Sequence, residues 1–119
     1  MTVAQSRPGL LLVMVDVDPE QEDELNRWYE EEHIPERLSI PGFLRARRFV
    51  ALEGSPKYLA LYELAGPEAL QSDEYRRWKN ENATEWTRRM EAAFKGFVRN
   101  VYVEISAAET KPGGKSTAT

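Results

Sequence analysis

Apolar positions along the chain fall into strand-length runs separated by stretches of helical spacing. The first run, Leu10–Val17, is continuously apolar up to its penultimate residue, as in a strand covered on both faces. Asp18 and Pro19 then mark a helix start, with Asp18 able to cap free amide groups and Gln21 at the capping-box position. From Pro19 to about His33, Leu25, Trp28, Tyr29 and Glu32 or His33 recur at intervals of three and four, which predicts a helix with one buried face. Pro35 should end that helix, because the residue before a proline is pushed out of the helical region, and a short turn over 35–38 should close before Pro41-Gly42.

Phe43–Leu52 and Lys57–Leu64 read as two strands joined by the turn sequence Glu53-Gly54-Ser55-Pro56, hence a hairpin. If Phe43 and Phe49 share a face of the first of these, Arg45 and Arg47 share it too and Arg48 lies opposite with Ala46. Gly66-Pro67 opens a second helical region, with Ser72 as cap for 73 to about 81, the polar stretch 80–84 as an interruption, and Glu85–Lys95 as its continuation. Trp78, Trp86, Met90 and Phe94 are candidates for its buried side, and Gly96 for its stop. Phe97–Ile105 is the last strand.

Strand, helix, strand, strand, helix, strand is the order of a ferredoxin-like α+β fold: one four-stranded antiparallel sheet with both helices on one face. We expect residues 10–106 to form this single domain, behind a lead-in over 1–9 and ahead of a disordered tail over 107–119 rich in small residues. The first, third and fourth strands carry apolar side chains at both odd and even positions, so the face opposite the helices is apolar as well. An apolar face of that size marks an interface, which predicts a homodimer joined sheet to sheet.

Composition narrows the function classes. A net charge of -4 and the absence of a basic stripe argue against nucleic acid as a partner. The start of the chain lacks the apolar segment of a signal peptide, and no run approaches the length that spans a bilayer, so the expectation is a cytoplasmic protein with no membrane partner. With no cysteine, thiolate metal sites are excluded. Acidic residues crowd between Asp16 and Glu36, where Arg27 is the sole base, a pattern that reads as a solvated helix face.

The stretches 24–43 (ELNRWYEEEHIPERLSIPGF), 45–64 (RARRFVALEGSPKYLALYEL) and 85–105 (EWTRRMEAAFKGFVRNVYVEI) together resemble the dimeric α/β-barrel superfamily and, within it, the EthD-like group. The resemblance covers residues 10–105, and its most specific part is Trp28-Tyr29, His33-Ile34-Pro35 and Pro41-Gly42-Phe43. It implies a two-chain barrel with a cleft in each subunit between sheet and helices. It does not imply one reaction, since the superfamily includes cofactor-free monooxygenases, isomerases, polyketide cyclases and haem-degrading enzymes.

His33 is the single histidine and the natural proton carrier near neutral pH. It lies four residues after Tyr29, on the same side of the helix, aimed at the expected cleft; alternatively it satisfies carbonyls at a helix end. Tyr29 would orient His33 or donate to a substrate oxygen, or else be a half-buried core aromatic. Trp28 and Trp86 are candidates for the pocket wall, although tryptophans at helical spacing, Trp78 and Trp86 especially, read first as core. Arg48 is the candidate for holding a carboxylate, phenolate or enolate, while at least two of Arg45, Arg47 and Arg48 should pair with acids or guard an edge. On the third strand Tyr62 is a better cleft residue than Glu63, because a buried glutamate without a partner is costly.

No zinc-protease motif, phosphate loop, dinucleotide fingerprint or serine elbow occurs, and one histidine cannot complete a carboxylate-bridged di-iron site. Taken with the resemblance above, the expected function is a catabolic enzyme without organic cofactor or metal, acting on a small aromatic, polyketide-like or lactone-type molecule. His33 and Tyr29 would be catalytic, and Trp28, Arg48, Tyr62 and Trp86 would bind substrate. A pocketed protein that binds a small organic ligand without turnover is the alternative, and haem binding through His33 a further one.

Overall fold

The computed structural model describes residues 7–111. Strands β1 (Gly9–Asp16), β2 (Phe43–Val50), β3 (Tyr58–Leu64) and β4 (Lys95–Val103) form one sheet in the order β2-β3-β1-β4. All of its pairings are antiparallel. The crossover segments lie against one face, so the fold is the expected ferredoxin-like α+β arrangement. Among the described residues no helix is long and apolar enough to cross a membrane.

Period-two alternation decides what each strand buries. Leu11 and Val15 of β1 and Ala60, Tyr62 and Leu64 of β3 point to the helices and are buried, while Leu10, Leu12, Met14, Leu59 and Leu61 point the other way and are only half-covered. Leu25, Trp28 and Tyr29 from the first crossover and Tyr75 and Met90 from the second complete the core. Each large side chain so buried contributes about 1.5–3 kcal/mol.

The first crossover differs from expectation. Asp18 stands at the start of a short 3-10 turn, Pro19–Gln21, but its carboxylate makes no capping bond and pairs instead with Lys95. Helix α1 (Glu22–Trp28) runs on through a wide π turn, Tyr29–His33, into α2 (Ile34–Leu38). Pro35 does not end the helix. Ile34 N–H reaches back to the Tyr29 carbonyl, one residue further than an α-helix would, and this wider turn precedes the proline, which has no N–H to give and occupies the start of α2. His33 is thus an interior residue of a continuous helical segment and not a helix-end residue.

The second crossover follows its predicted punctuation. Pro67–Gln71 is a 3-10 turn, Ser72 accepts from Tyr75 N–H to cap α3 (Asp73–Arg76), a second π turn covers Arg77–Glu81, and Thr84 caps α4 (Glu85–Ala93). Gly96 is no helix stop. It lies inside β4 with φ of +58° beside the register shift between Met14 and Asp16, where β4 bulges. A second irregularity, between Phe43 and Arg45, reverses the facing of β2. Phe43 is buried among the helices with Ala46 and Arg48 beyond it on that side, whereas Arg45, Arg47 and Phe49 are exposed, so Phe43 and Phe49 do not share a face. Arg45 and Arg47 both pair with Glu63 at 3.8 and 3.4 Å.

Gly9 is already in β1, and Pro8 accepts a hydrogen bond from Glu104 N–H. Residues 104–111 add no helix or strand. The rest of the expected lead-in and tail, 1–6 and 112–119, lies outside the described residues.

Candidate active site

The π turn and α2 set one wall of a cavity of about 90 Å³ beneath the sheet, bounded by Leu11 and Val13 of β1, Tyr62 of β3, and side chains of the second crossover and β4. Trp28, Tyr29, His33 and Arg37 all reach it, because four-residue steps from Tyr29 to His33 to Arg37, with Trp28 beside the first of them, keep them on the inner face of one helical segment. The His33 ring stacks on Trp28 with centroids 4.3 Å apart and meets the edges of Tyr29 and Tyr62 at 5.4 and 6.4 Å. Trp28 in turn is fixed by its indole N–H, which donates to Thr87 Oγ1 at 3.0 Å; Thr87 and Thr84 hydroxyls both donate to Glu32.

Three of the residues that line this cavity each carry a buried polar atom with no hydrogen-bond partner: His33 Nδ1, Tyr62 Oη and Arg37 Nη1. Buried polar atoms are normally satisfied, so three orphans around one void require an explanation outside the core itself. Their protonation is set by burial. Removal from water, reinforced by the Arg37 charge, holds His33 well below its ordinary value, so the imidazole is neutral at pH 7. Burial pushes the Tyr29 hydroxyl up to about 12, against the opposing charges of Arg48 and Arg37. It raises Tyr62 further still, with Tyr29 adding to the effect. The site therefore offers one neutral base and two phenols that keep their protons.

Not every expected residue comes to this cavity. Trp28, Tyr29, His33 and Tyr62 meet there, but Arg48 and Trp86 do not line it. The Arg48 guanidinium donates to Asn26 at 2.7 Å and Glu30 at 3.3 Å and lies over the Tyr29 ring at 4.3 Å. It thus packs behind Tyr29, away from the void. Trp86 donates its indole N–H to Glu24 at 3.0 Å beneath the Arg27 guanidinium, in the contact between α1 and α4. Sequence reasoning missed Arg37, Tyr75, Lys79, Glu91, Phe97 and Arg99, which together with Phe94 complete the lining. For Arg37 the signal was present as the four-residue interval from His33, once the helix is known to continue through Pro35. Tyr75 and Arg99 carry no such mark.

The family model of a domain of unknown function, DUF4286, matches residues 9–106, which is the whole sheet and both crossovers. The chain belongs to the DUF4286 family. No curated protein matches it. Solved structures similar to this DUF4286 chain share its fold at low identity. A dimeric ferredoxin-like protein from an uncultured marine organism superposes with a TM-score of 0.66 at 18% identity, covering 89% of this chain and 95% of that one. SnoaB, a cofactor-independent oxygenase from Streptomyces nogalater, gives a TM-score of 0.61 at 12% identity, with 90% and 99% covered. The haem degrader MhuD from Mycobacterium tuberculosis, solved with two haems in its active site, gives 0.55 at 18% identity, with 85% and 99% covered. At these identities the likeness establishes the ferredoxin-like fold of the DUF4286 chain and leaves its chemistry to the site.

Proposed function

We propose that this protein is a cytoplasmic enzyme that needs no organic cofactor and uses His33 to move a proton on a small aromatic, polyketide-like or lactone-type substrate. The observation that carries the reading is that three residues with an unpartnered buried polar atom, His33, Tyr62 and Arg37, line one cavity. A neutral imidazole out of water accepts a proton from a carbon beside a carbonyl or from a phenol. Tyr62 and Tyr29, which keep their protons, donate to the oxyanion that forms, and the Arg37 charge stabilises it without a proton transfer of its own. Trp28 fixes the plane of His33, and Arg48 acts indirectly by holding the Tyr29 ring. The removed proton leaves an enolate or phenolate, from which isomerisation, cyclisation or reaction with oxygen can follow.

The name of SnoaB and the EthD-like resemblance of residues 24–43 are consistent with chemistry of this kind. Haem is a poorer fit, since a void of about 90 Å³ with His33 packed between Trp28 and two tyrosines leaves no room for a porphyrin at the imidazole. The sheet face away from the helices supports the homodimer reading: Leu10, Leu12, Met14, Leu59, Leu61 and Val98 are only half-covered there, and Phe49 and Tyr102 are 44% and 46% exposed.

The test is turnover of a panel of phenols, lactones and keto acids by the wild type and by His33→Ala. Loss of turnover in a variant that keeps its fold is expected. A His33→Ala protein that turns a confirmed substrate over at the normal rate contradicts the mechanism, and binding without product by the wild type favours a carrier or accessory role.

A further inference from the structure

Arg37 is the most unusual group in the cavity. Its side chain is buried, with 6% exposure, its Nη1 has no partner, and no carboxylate among the described residues forms an ion pair with it. A guanidinium does not lose its proton in a protein, so burial cannot neutralise it as it does His33. Buried charges are otherwise paired.

Two more cations gather on the same aromatic ring. Arg37 lies 5.5 Å from the Tyr75 ring, Lys79 lies 5.9 Å from it, and Arg99 donates to Tyr75 Oη at 3.1 Å. Neither Lys79 nor Arg99 has an ion pair among the described residues. Glu91, exposed at the rim, is the one acid in the lining. This positive wall is set into a chain whose net charge is -4, so it does not follow from composition.

The void has two parts. The deep part, of about 90 Å³, is lined by His33, Tyr62 and Arg37, each of which carries a buried polar atom without a partner. A mouth of about 480 Å³ continues from it between Lys79, Glu91, Phe94, Phe97 and Arg99. Phe94 and Phe97 stack there at 5.9 Å with planes 10° apart, and Phe97 is 52% exposed. The deep part suits a small charged head and the mouth suits an apolar body.

We infer that the cavity binds a carboxylic acid with an aromatic or similarly apolar body, its carboxylate held by Arg37 Nη1 and Tyr62 Oη and its body lying against the stacked pair of Phe94 and Phe97. The inference rests on the reading of this cavity as a ligand site and adds the class of ligand. Arg37 supplies a charge-assisted bond whose alternative is an unpaired buried cation, while Lys79 and Arg99 draw the anion to the mouth. His33, neutral, faces the acid without competing for it as a second charge.

Phenylacetate and its neutral counterpart phenylacetamide test this directly, with the His33 ring resonances and tryptophan fluorescence as readouts. The wild type is expected to bind phenylacetate at least about tenfold more tightly than the amide, and to shift the His33 signals. Arg37→Met should remove that preference, and Tyr62→Phe, which keeps the ring and the packing, should weaken phenylacetate severalfold and more than it weakens the amide. Should Arg37→Met fail to fold, Tyr62→Phe and the acid-to-amide comparison in the wild type decide the matter alone.

Equal affinity for acid and amide, selectivity undiminished in Tyr62→Phe, or no response of His33 up to about 10 mM phenylacetate overturns the inference. Selective binding with no turnover of any compound would leave the anion site standing and remove the catalytic reading. Turnover of neutral phenols without acid selectivity would do the reverse.

Discussion

Thr87→Val probes the support of the site with little change of shape. In the protein the Thr87 hydroxyl accepts from Trp28 Nε1 at 3.0 Å and donates to Glu32 at 3.0 Å, and both Thr87 and Trp28 are buried, at 4% and 1% exposure. Valine fills the same space but can do neither. Glu32 retains the Thr84 hydroxyl at 2.5 Å, so the principal loss is an indole N–H left unsatisfied in the core, which costs about 1–3 kcal/mol. In a domain of this size each kcal/mol lowers Tm by roughly 3–5 °C. Urea unfolding followed by fluorescence gives the number, and a cycle with Trp28→Phe isolates the bond. With Trp28→Phe already in place there is no N–H to orphan, so the cost of Thr87→Val should fall by about 1 kcal/mol. Because His33 stacks on Trp28, its ring resonances should move in Thr87→Val as well. A coupling near zero, or an unchanged His33 spectrum, would refute the view that this bond holds the tryptophan under the histidine.

Other outcomes follow from the same structure. Burial holds His33 well below its usual 6.5, so on acidification the unfolded chain takes up a proton that the folded protein refuses; stability should fall by about 1.4 kcal/mol per pH unit below 6.5 until the folded value is reached. Being the only histidine, it should take this slope with it in His33→Asn, measured by urea unfolding between about pH 5 and 6.5. Gly42 has φ of +95° and a Cβ there would stand 2.7 Å from Ala69 Cβ, so Gly42→Ala should cost more in thermal unfolding than Gly96→Ala, whose added Cβ meets nothing nearer than 3.5 Å. Leu61→Asp, in the centre of the uncovered sheet face, should turn a dimer into a monomer by light scattering while leaving the circular dichroism intact.

Strand positions and order were legible because each strand is a short run of apolar side chains between turn residues, and this alone specifies the ferredoxin-like sheet. What one sequence did not reveal is where the backbone departs from its regular period. Pro35 reads as a helix end, yet a π turn lets the helix pass it. The irregularity after Phe43 reverses the facing of the rest of β2 without any residue that announces it, and so separates Phe43 from Phe49. Gly96 signals a positive φ correctly, but the sequence cannot say that a strand bulge requires it. The site divides along the same line. Trp28, Tyr29 and His33 are neighbours on one helix and are visible as such, whereas Tyr75 and Arg99 join them only through the fold.

The central claim is that His33 is a neutral base in a working cavity, and an NMR pH titration of its ring tests it most directly. The histidine should stay neutral well below pH 6.5 in the free protein and its signals should shift again when one class among small phenols, lactones and keto acids is added. A titration midpoint near 6.5 with no response to any of these compounds would contradict the account.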